Sequence, residues 1–323
     1  MFYILAISLC LALVFLSLLL CWLLLFPIAL LVRRRARGRE QGLAAGDIFF
    51  LRISPSIIAC AVTFGVGLPA FLKFEPNSTN ESVGLRLLVL ALLGAILVGG
   101  MAYRAWFALR ASSRMRASWH KHSTRMLVDG IDFPVYCVES RTSLLAVSGI
   151  FDPTIFIAKD IFLGLSSEEL YAAIAHEVAH VSAYDNLKQL MLRITSPPRW
   201  LAGFAGLDRE WGRAAEVAAD QHAVAAGAPA LELSSALVKV SRMHMSHEVE
   251  GGVACHLVPP TCSSALEVRV RRLSDMLEGR EVPEAVARQR EFFVGMAIAL
   301  ALYLAFLNAM LPLAHELLES LVR

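Results

Sequence analysis

Charge is scarce in this chain. Asp, Glu, Lys and Arg together make up 18% of its 323 residues, against about 25% in an ordinary soluble protein. The stretch from Phe2 to Val32 holds no charged residue. With 57% apolar residues and a mean hydropathy of +0.58, a soluble globular enzyme is excluded and a membrane protein is expected. A net charge of +2 is no nucleic-acid signature, so no direct nucleic-acid binding is expected. Cysteine is sparse as well. Cys10, Cys21, Cys60 and Cys137 sit in apolar runs and read as buried thiols, not as a disulfide framework.

The apolar residues are concentrated in four segments long enough to cross a bilayer: 1–32, 51–73, 83–109 and 291–313. The first has no basic start and is too long for a signal peptide. Arg86 and Arg104 interrupt the third, and Arg86 can snorkel to the headgroups. Orientation follows from the flanking basic residues. Arg33, Arg34, Arg35, Arg37 and Arg39 lie in the loop 33–50, whereas the loop 74–82 has no lysine or arginine. The first loop is therefore expected in the cytoplasm and the second outside, with both termini external, including a tail 314–323. Segment 110–290 is then a cytoplasmic domain. Arg110, Arg114, Arg116, Lys121 and Arg125 follow the third span and suit attraction to anionic lipid. Arg269, Arg271 and Arg272 alternate with Val268, Val270 and Leu273, which suits an amphipathic helix against the bilayer or leading into the last span.

Within 110–290 the pattern is mixed. Residues 133–138, 144–147 and 154–158 read as short strands, and 232–245 and 265–278 as helices. Between them, Ser166-Ser167-Glu168-Glu169 reads as a capping box. It opens an apolar-striped helix predicted to run to Ile194, where Ser196-Pro197-Pro198 stops it. That helix carries His176-Glu177-Val178-Ala179-His180. Residues four apart share a helical face, so His176 and His180 can hold one Zn²⁺ per chain, with Glu177 as general base beside the attacking water. A third protein ligand is needed, and Glu216 is the candidate. It lies on a second helix with Asp208 as expected N-cap and Gly227 as C-terminal stop. Asp220, four residues on, can accept the free N–H of a ligand histidine and fix its orientation. His222 and Tyr184 are candidate oxyanion donors by nearness in sequence alone. Asp185 reads equally as an orienting group or a surface carboxylate. His244, His247, His256, Cys255 and Cys262 form a second cluster, but its spacing fits no zinc knuckle, and a substrate-covering loop through Gly251-Gly252 and Pro259-Pro260 is the better reading.

The succession of His-Glu-x-x-His and then Glu-x-x-x-Asp resembles the gluzincin-like membrane metallopeptidases: the HtpX-like quality-control proteases, the CAAX prenyl-protein proteases and the beta-lactam-sensing antirepressor (BlaR/MecR-type) proteases. The runs Gly149-Ile150-Phe151-Asp152-Pro153-Thr154-Ile155-Phe156-Ile157, Leu165 to Leu170, Ala175 to His180 and Tyr184-Asp185-Asn186 look most like the antirepressor group. No apolar span separates His180 from Glu216 here, as one usually does in the other two. The resemblance implies an α-helical integral membrane protein with four transmembrane helices and a cytoplasmic α+β zinc-metallopeptidase domain, in a bacterial inner membrane. Its substrate would be a cytoplasmic or membrane-proximal protein, such as a transcriptional repressor, taken up as an added strand on a sheet edge. The tail 314–323 carries no penicillin-binding sensor and the external segments hold no Ser-x-x-Lys, so direct beta-lactam sensing by this polypeptide is not expected; a separate sensor protein and a membrane-state signal both stay open. Two other functions stay open: membrane protein quality control, and a non-catalytic signalling or scaffold protein that keeps the fold. The retained Glu177 favours an enzyme, since binding alone has no need of a general base.

Overall fold

The protein is described by a computed structural model covering residues 2–38, 44–74, 84–128, 131, 133–139, 145–197, 202–246, 263–278, 311–314 and 316. The chain divides into two compact units. The first comprises Met1–Trp106, Met191–Trp211 and Val286–Arg323, and the second Phe107–Leu190 and Gly212–Ala285. Residues 191–211 thus group with the apolar helices, although they lie inside the span 110–290 read from sequence as one domain.

In the first unit, α1 (Phe2–Gly38) is followed by α2 (Ala45–Cys60), a π-helical stretch (Ala61–Gly67) and α3 (Leu68–Phe74), and then by α4 (Leu85–Lys121). Three helical segments among the described residues are long and apolar enough to cross a membrane: Phe2–Val32, Ala45–Phe74 and Leu85–Lys121. The expected fourth span, 291–313, lies outside the described residues except for its helical end at 311–313. Packing between apolar helices depends on shape, because lipid tails are as apolar as Leu. Leu5, Leu9 and Ala12 meet Ala70, Phe71 and Leu87 in one buried cluster. The Leu11 backbone lies so close to Gly94 that a Cβ has no space there, so glycine sets the α1–α4 approach.

The second unit is built on a four-stranded sheet of order β1-β2-β4-β3, with β1 Ser123–Met126, β2 Val135–Val138, β3 Leu145–Ser148 and β4 Thr154–Ala158. β2 and β4 are parallel, while β1 and β3 pair antiparallel at the edges. Strand β1 is a correction to the sequence reading, which took Arg125 for part of a juxtamembrane basic stretch. Its partly exposed Ser-Thr-Arg-Met pattern is that of an edge strand with no apolar run to announce it. β4, by contrast, is buried along its whole length.

Helices α5 (Lys159–Gly164), α6 (Ser167–Ser182), α7 (Asp185–Ile194), α8 (Ala202–Ala225), α9 (Ala230–Ser246) and α10 (Ser263–Leu277) complete the described structure. Ile155 and Ile157 of β4, Ala173 and Ile174 of α6, and Ala236 and Val240 of α9 share a core. Small side chains, Ala172, Ala223, Ala228 and Ala230, bring α6, α8 and α9 close around Leu233 and Leu273.

Two helix boundaries differ from those expected. The helix opening at Ser166 stops at Ser182, and a second one starts at Asp185. Tyr184 between them has φ 56°, a left-handed conformation that breaks the helix without a glycine or proline. Asp208 is not an N-cap: α8 begins at Ala202, and Asp208 lies inside it, paired with Arg52 at 2.7 Å. The stop at Gly227 is as expected. Gly227 has φ 103°, its N–H donates to Val224 O, and Ala228 N–H donates to Ala223 O, the Schellman arrangement.

Candidate metal centre

Helix α6 supplies the first part of the site. Ser166 Oγ accepts from Glu169 N–H at 3.2 Å and the Glu169 carboxylate accepts from Ser166 N–H at 2.8 Å, so the first turn is fixed from both sides. Glu169 also receives Ser235 Oγ at 2.6 Å and Lys239 Nζ at 2.7 Å from α9. Two turns beyond this anchor, His176 and His180 face the same point, with their Nε2 atoms 3.2 Å apart.

Each ring is held from behind by a carboxylate. His176 Nδ1 lies 2.9 Å from Asp220 Oδ1, and His180 Nδ1 lies 2.7 Å from Asp185 Oδ2. Both contacts put a carboxylate behind Nδ1, and a proton held there in a metal-bound site would leave the Nε2 lone pairs on the shared side. Glu216, one helical turn before Asp220 on α8, brings its carboxylate to 3.5 Å from His176 Nε2 and 3.8 Å from His180 Nε2. One ligand atom from each of His176, His180 and Glu216 lies within 4.8 Å of the others.

Arg269 of α10 completes the charge balance. Its Nε and Nη2 each donate to Asp220 at 2.7 Å, and its Nη1 is 2.8 Å from Glu216 Oε2. Arg269, read from sequence only as one of three arginines on an amphipathic helix against the bilayer or leading into the last span, is buried in the site. The missed signal was its spacing from Leu273, four residues on, which shares the buried face of α10. Apolar neighbours at odd spacing had suggested alternation, which a helix does not follow. Asp185 is the other residue that its neighbourhood in sequence left undecided. The helix break at Tyr184 turns its carboxylate toward His180.

Electrostatics follow from burial and pairing. Burial pulls the His176 imidazolium down, but the carboxylates of Asp220 and Glu216 outweigh it and lift the group to about 9. Burial raises Glu216 and Asp220, yet Arg269 and His176 hold both below the ordinary carboxylate range. Glu177 has no such cation in contact. It is fully buried, neither oxygen meets a donor, and burial pushes it up to about 7. It borders a cavity of about 30 Å³ lined by His176, Arg269 and the apolar side chains of Leu145, Leu233, Ala236 and Val240, room for a water. Tyr184 and His222 are both exposed, and neither joins the ligand cluster. His247, Cys255, His256 and Cys262 lie outside the described residues, as do Gly251-Gly252 and Pro259-Pro260.

Two imidazole nitrogens and one carboxylate, converging with their outer atoms held by carboxylates, are the donor set of a three-ligand zinc site. The fit is to a borderline metal, because an all-oxygen set would be needed for calcium or magnesium. Comparison with known proteins agrees in outline. The model of Peptidase family M48 matches residues 130–207, a stretch that includes β2 to α7 and both histidines but ends before Glu216. No curated protein and no solved structure matches the chain. The matched family and the three apolar helices together indicate a membrane-associated metallopeptidase.

Proposed function

We propose that the protein is a membrane-embedded zinc metalloendopeptidase, with His176, His180 and Glu216 as metal ligands and Glu177 as general base. The observation that carries this reading is the convergence of the three ligand atoms within 4.8 Å beside a buried carboxylate that has no protein partner. A zinc ion bound there supplies Lewis-acid polarisation of a scissile carbonyl and makes a water easier to deprotonate. Glu177, pushed up to about 7 by burial, is suited to take a proton from water near neutral pH and pass it to the leaving amine. Asp220 and Asp185 hold the two imidazoles in one tautomer throughout. The edge strand β3, packed on α6 and paired among the described strands with β4 alone, is suited to receive an extended peptide.

The substrate in this reading is a cytoplasmic or membrane-proximal protein, cut in a regulatory cascade of the antirepressor kind. Its support is the placement of basic residues after the first and third spans and the resemblance of 149–186 to the antirepressor proteases. The first test is metal content of the detergent-purified protein. About one zinc per chain is expected, lost in Glu216→Ala and in the double variant His176→Ala/His180→Ala. Glu177→Gln should retain zinc while abolishing cleavage, which makes it a trap for substrates. Zinc undiminished without Glu216 would overturn the ligand assignment.

A further inference from the structure

The cavity beside the metal centre is lined entirely by residues of the second unit, and helical spacing explains why most of them are apolar. On α9, Leu233, Ala236, Leu237 and Val240 fall at positions i, i+3, i+4 and i+7, which is one face of a helix. On α6, Ala173 stands one turn before His176 and Glu177 on the same face. Leu145, the first residue of β3, and Arg269 of α10 complete the lining.

The size of the cavity is set by which residues α6 and α9 bring to it. Each helix contributes an alanine, Ala173 and Ala236, both buried in the core that the two helices share, and a larger side chain at either position would enter the space. The register between the helices is fixed. Ser235 and Lys239, each one residue before a lining residue of α9, donate to Glu169 of α6 at 2.6 Å and 2.7 Å. A slip of α9 along α6 breaks both bonds, so the cavity is a standing feature of the packing.

Volume and chemistry together select what fits. At about 10–15 Å³ for each water position, a cavity of about 30 Å³ takes a group on the order of two or three carbon atoms. The three polar residues of the lining belong to the metal centre, and Arg269 is already bonded to Asp220 and Glu216. The remaining side chains offer no hydrogen bond. A hydroxyl, amide or charged group entering here gives up its water for nothing in return, whereas a short aliphatic group gains by leaving water.

We propose that this cavity is the specificity pocket of the peptidase, taking a short aliphatic side chain, Ala or Val, that adjoins the bond to be cut, with Ala236 and Val240 setting the size limit. The inference rests on the zinc-peptidase reading and names the substrate class of that site. Leu145 links the pocket to the peptide. It begins β3, the strand suited to receive an extended substrate, and packs with Ala173 of α6 in one core. Successive side chains of an added strand point alternately to the two sides of the sheet, so every second one falls on the side that carries the cavity. A single methylene in an apolar pocket changes specificity by roughly 10–200-fold, which makes the limit a sharp one.

The test measures binding to the full chain, purified in detergent and loaded with zinc, and needs no natural substrate. The probes are two series of short peptide hydroxamates, which hold a metal through the hydroxamate. One series carries Gly, Ala, Val, Leu, Phe or Asp just before that group, and the other carries the same residues just after it. In one of the series, calorimetry is expected to give a Kd about tenfold or more lower for Ala or Val than for Phe or Asp. Val240→Ala should move the preference to Leu, and Ala236→Val should move it to Ala or Gly. Opposite shifts of this kind do not come from a general loosening of the fold, and Val240→Ala alone decides should Ala236→Val fail to fold. A preference unmoved in the variants would overturn the role of these two residues. Equal binding across both series, with about one zinc per chain, would overturn the pocket and leave the metal centre standing. A protein that binds neither zinc nor any hydroxamate would overturn the zinc-peptidase reading, and this inference with it.

Discussion

At the scale of single residues, the site is a balance of buried charge, and Arg269 is its least obvious member. Without metal, its guanidinium shares with the raised His176 imidazole the direct contact with both Asp220 and Glu216. Replacing it by Leu leaves two largely buried carboxylates without their arginine partner. Breaking a buried ion pair from one side typically costs about 3–5 kcal/mol, so Arg269→Leu should melt well below the parent when stripped of metal. Added zinc should then stabilise the variant more than the parent, since the metal restores positive charge that the guanidinium no longer supplies. Thermal unfolding of chelator-treated and zinc-loaded protein in detergent measures both. An equal zinc-induced rise in the two proteins would show that Arg269 does not share the carboxylates' charge. The same residue marks where reading from sequence stops. His176, Glu177, His180, Glu216 and Asp220 are legible because helical spacing brings them to one side of two helices. Arg269 comes from a third helix, and only tertiary packing brings it to the others.

At the scale of elements, α6 is placed by its first turn, and that placement is titratable. Burial tends to raise Glu169, but Lys239, Ser235 and the Ser166 N–H together bring it from 4.5 down to about 2. A carboxyl whose folded value lies below its unfolded one stabilises fully above the unfolded value, and that stabilisation is lost as pH falls from about 4.5 toward about 2. The melting temperature of the metal-free protein should therefore drop as pH is lowered from about 6 to about 3, and Glu169→Gln should be lower at neutral pH with a shallower acid slope. Parallel slopes in the two proteins would assign the acid loss to other carboxylates. The capping box that starts α6 was readable from Ser166 and Glu169. The end of the helix was not, because a left-handed Tyr184 carries no propensity signal, whereas Gly227 does and its stop was read correctly. Strand β1 was missed for a related reason: its short, partly exposed Ser-Thr-Arg-Met run pairs only because β2 offers it an edge.

At the scale of the whole molecule, sequence shows how many apolar segments there are but not how a charge inside one is used. Arg52 lies within the predicted span 51–73, where an arginine is costly unless it pairs or snorkels. In the structure it does not reach for water. It is 1% exposed, with Nε on Asp208 at 2.7 Å and its Nη atoms 3.2 Å from the carbonyls of Leu192 and Thr195. Arg104 of α4 donates to Ile194 O at 3.0 Å. Two arginines from two apolar helices thus cap the last carbonyls of α7, which have no partner of their own within the helix. These contacts all fall inside the first unit, and they help tie 191–211 to it. Arg52→Leu should uncap α7 and leave Asp208 unpaired, lowering stability by about 3 kcal/mol or more. The double variant Arg52→Leu/Asp208→Leu should recover part of that loss, because it removes the orphaned charge while the carbonyls stay uncapped. Melting of the single and double variants in one detergent decides the matter. If the double variant is no more stable than Arg52→Leu alone, the cost lies in the uncapped carbonyls, and Asp208 contributes nothing to the fold through this pair.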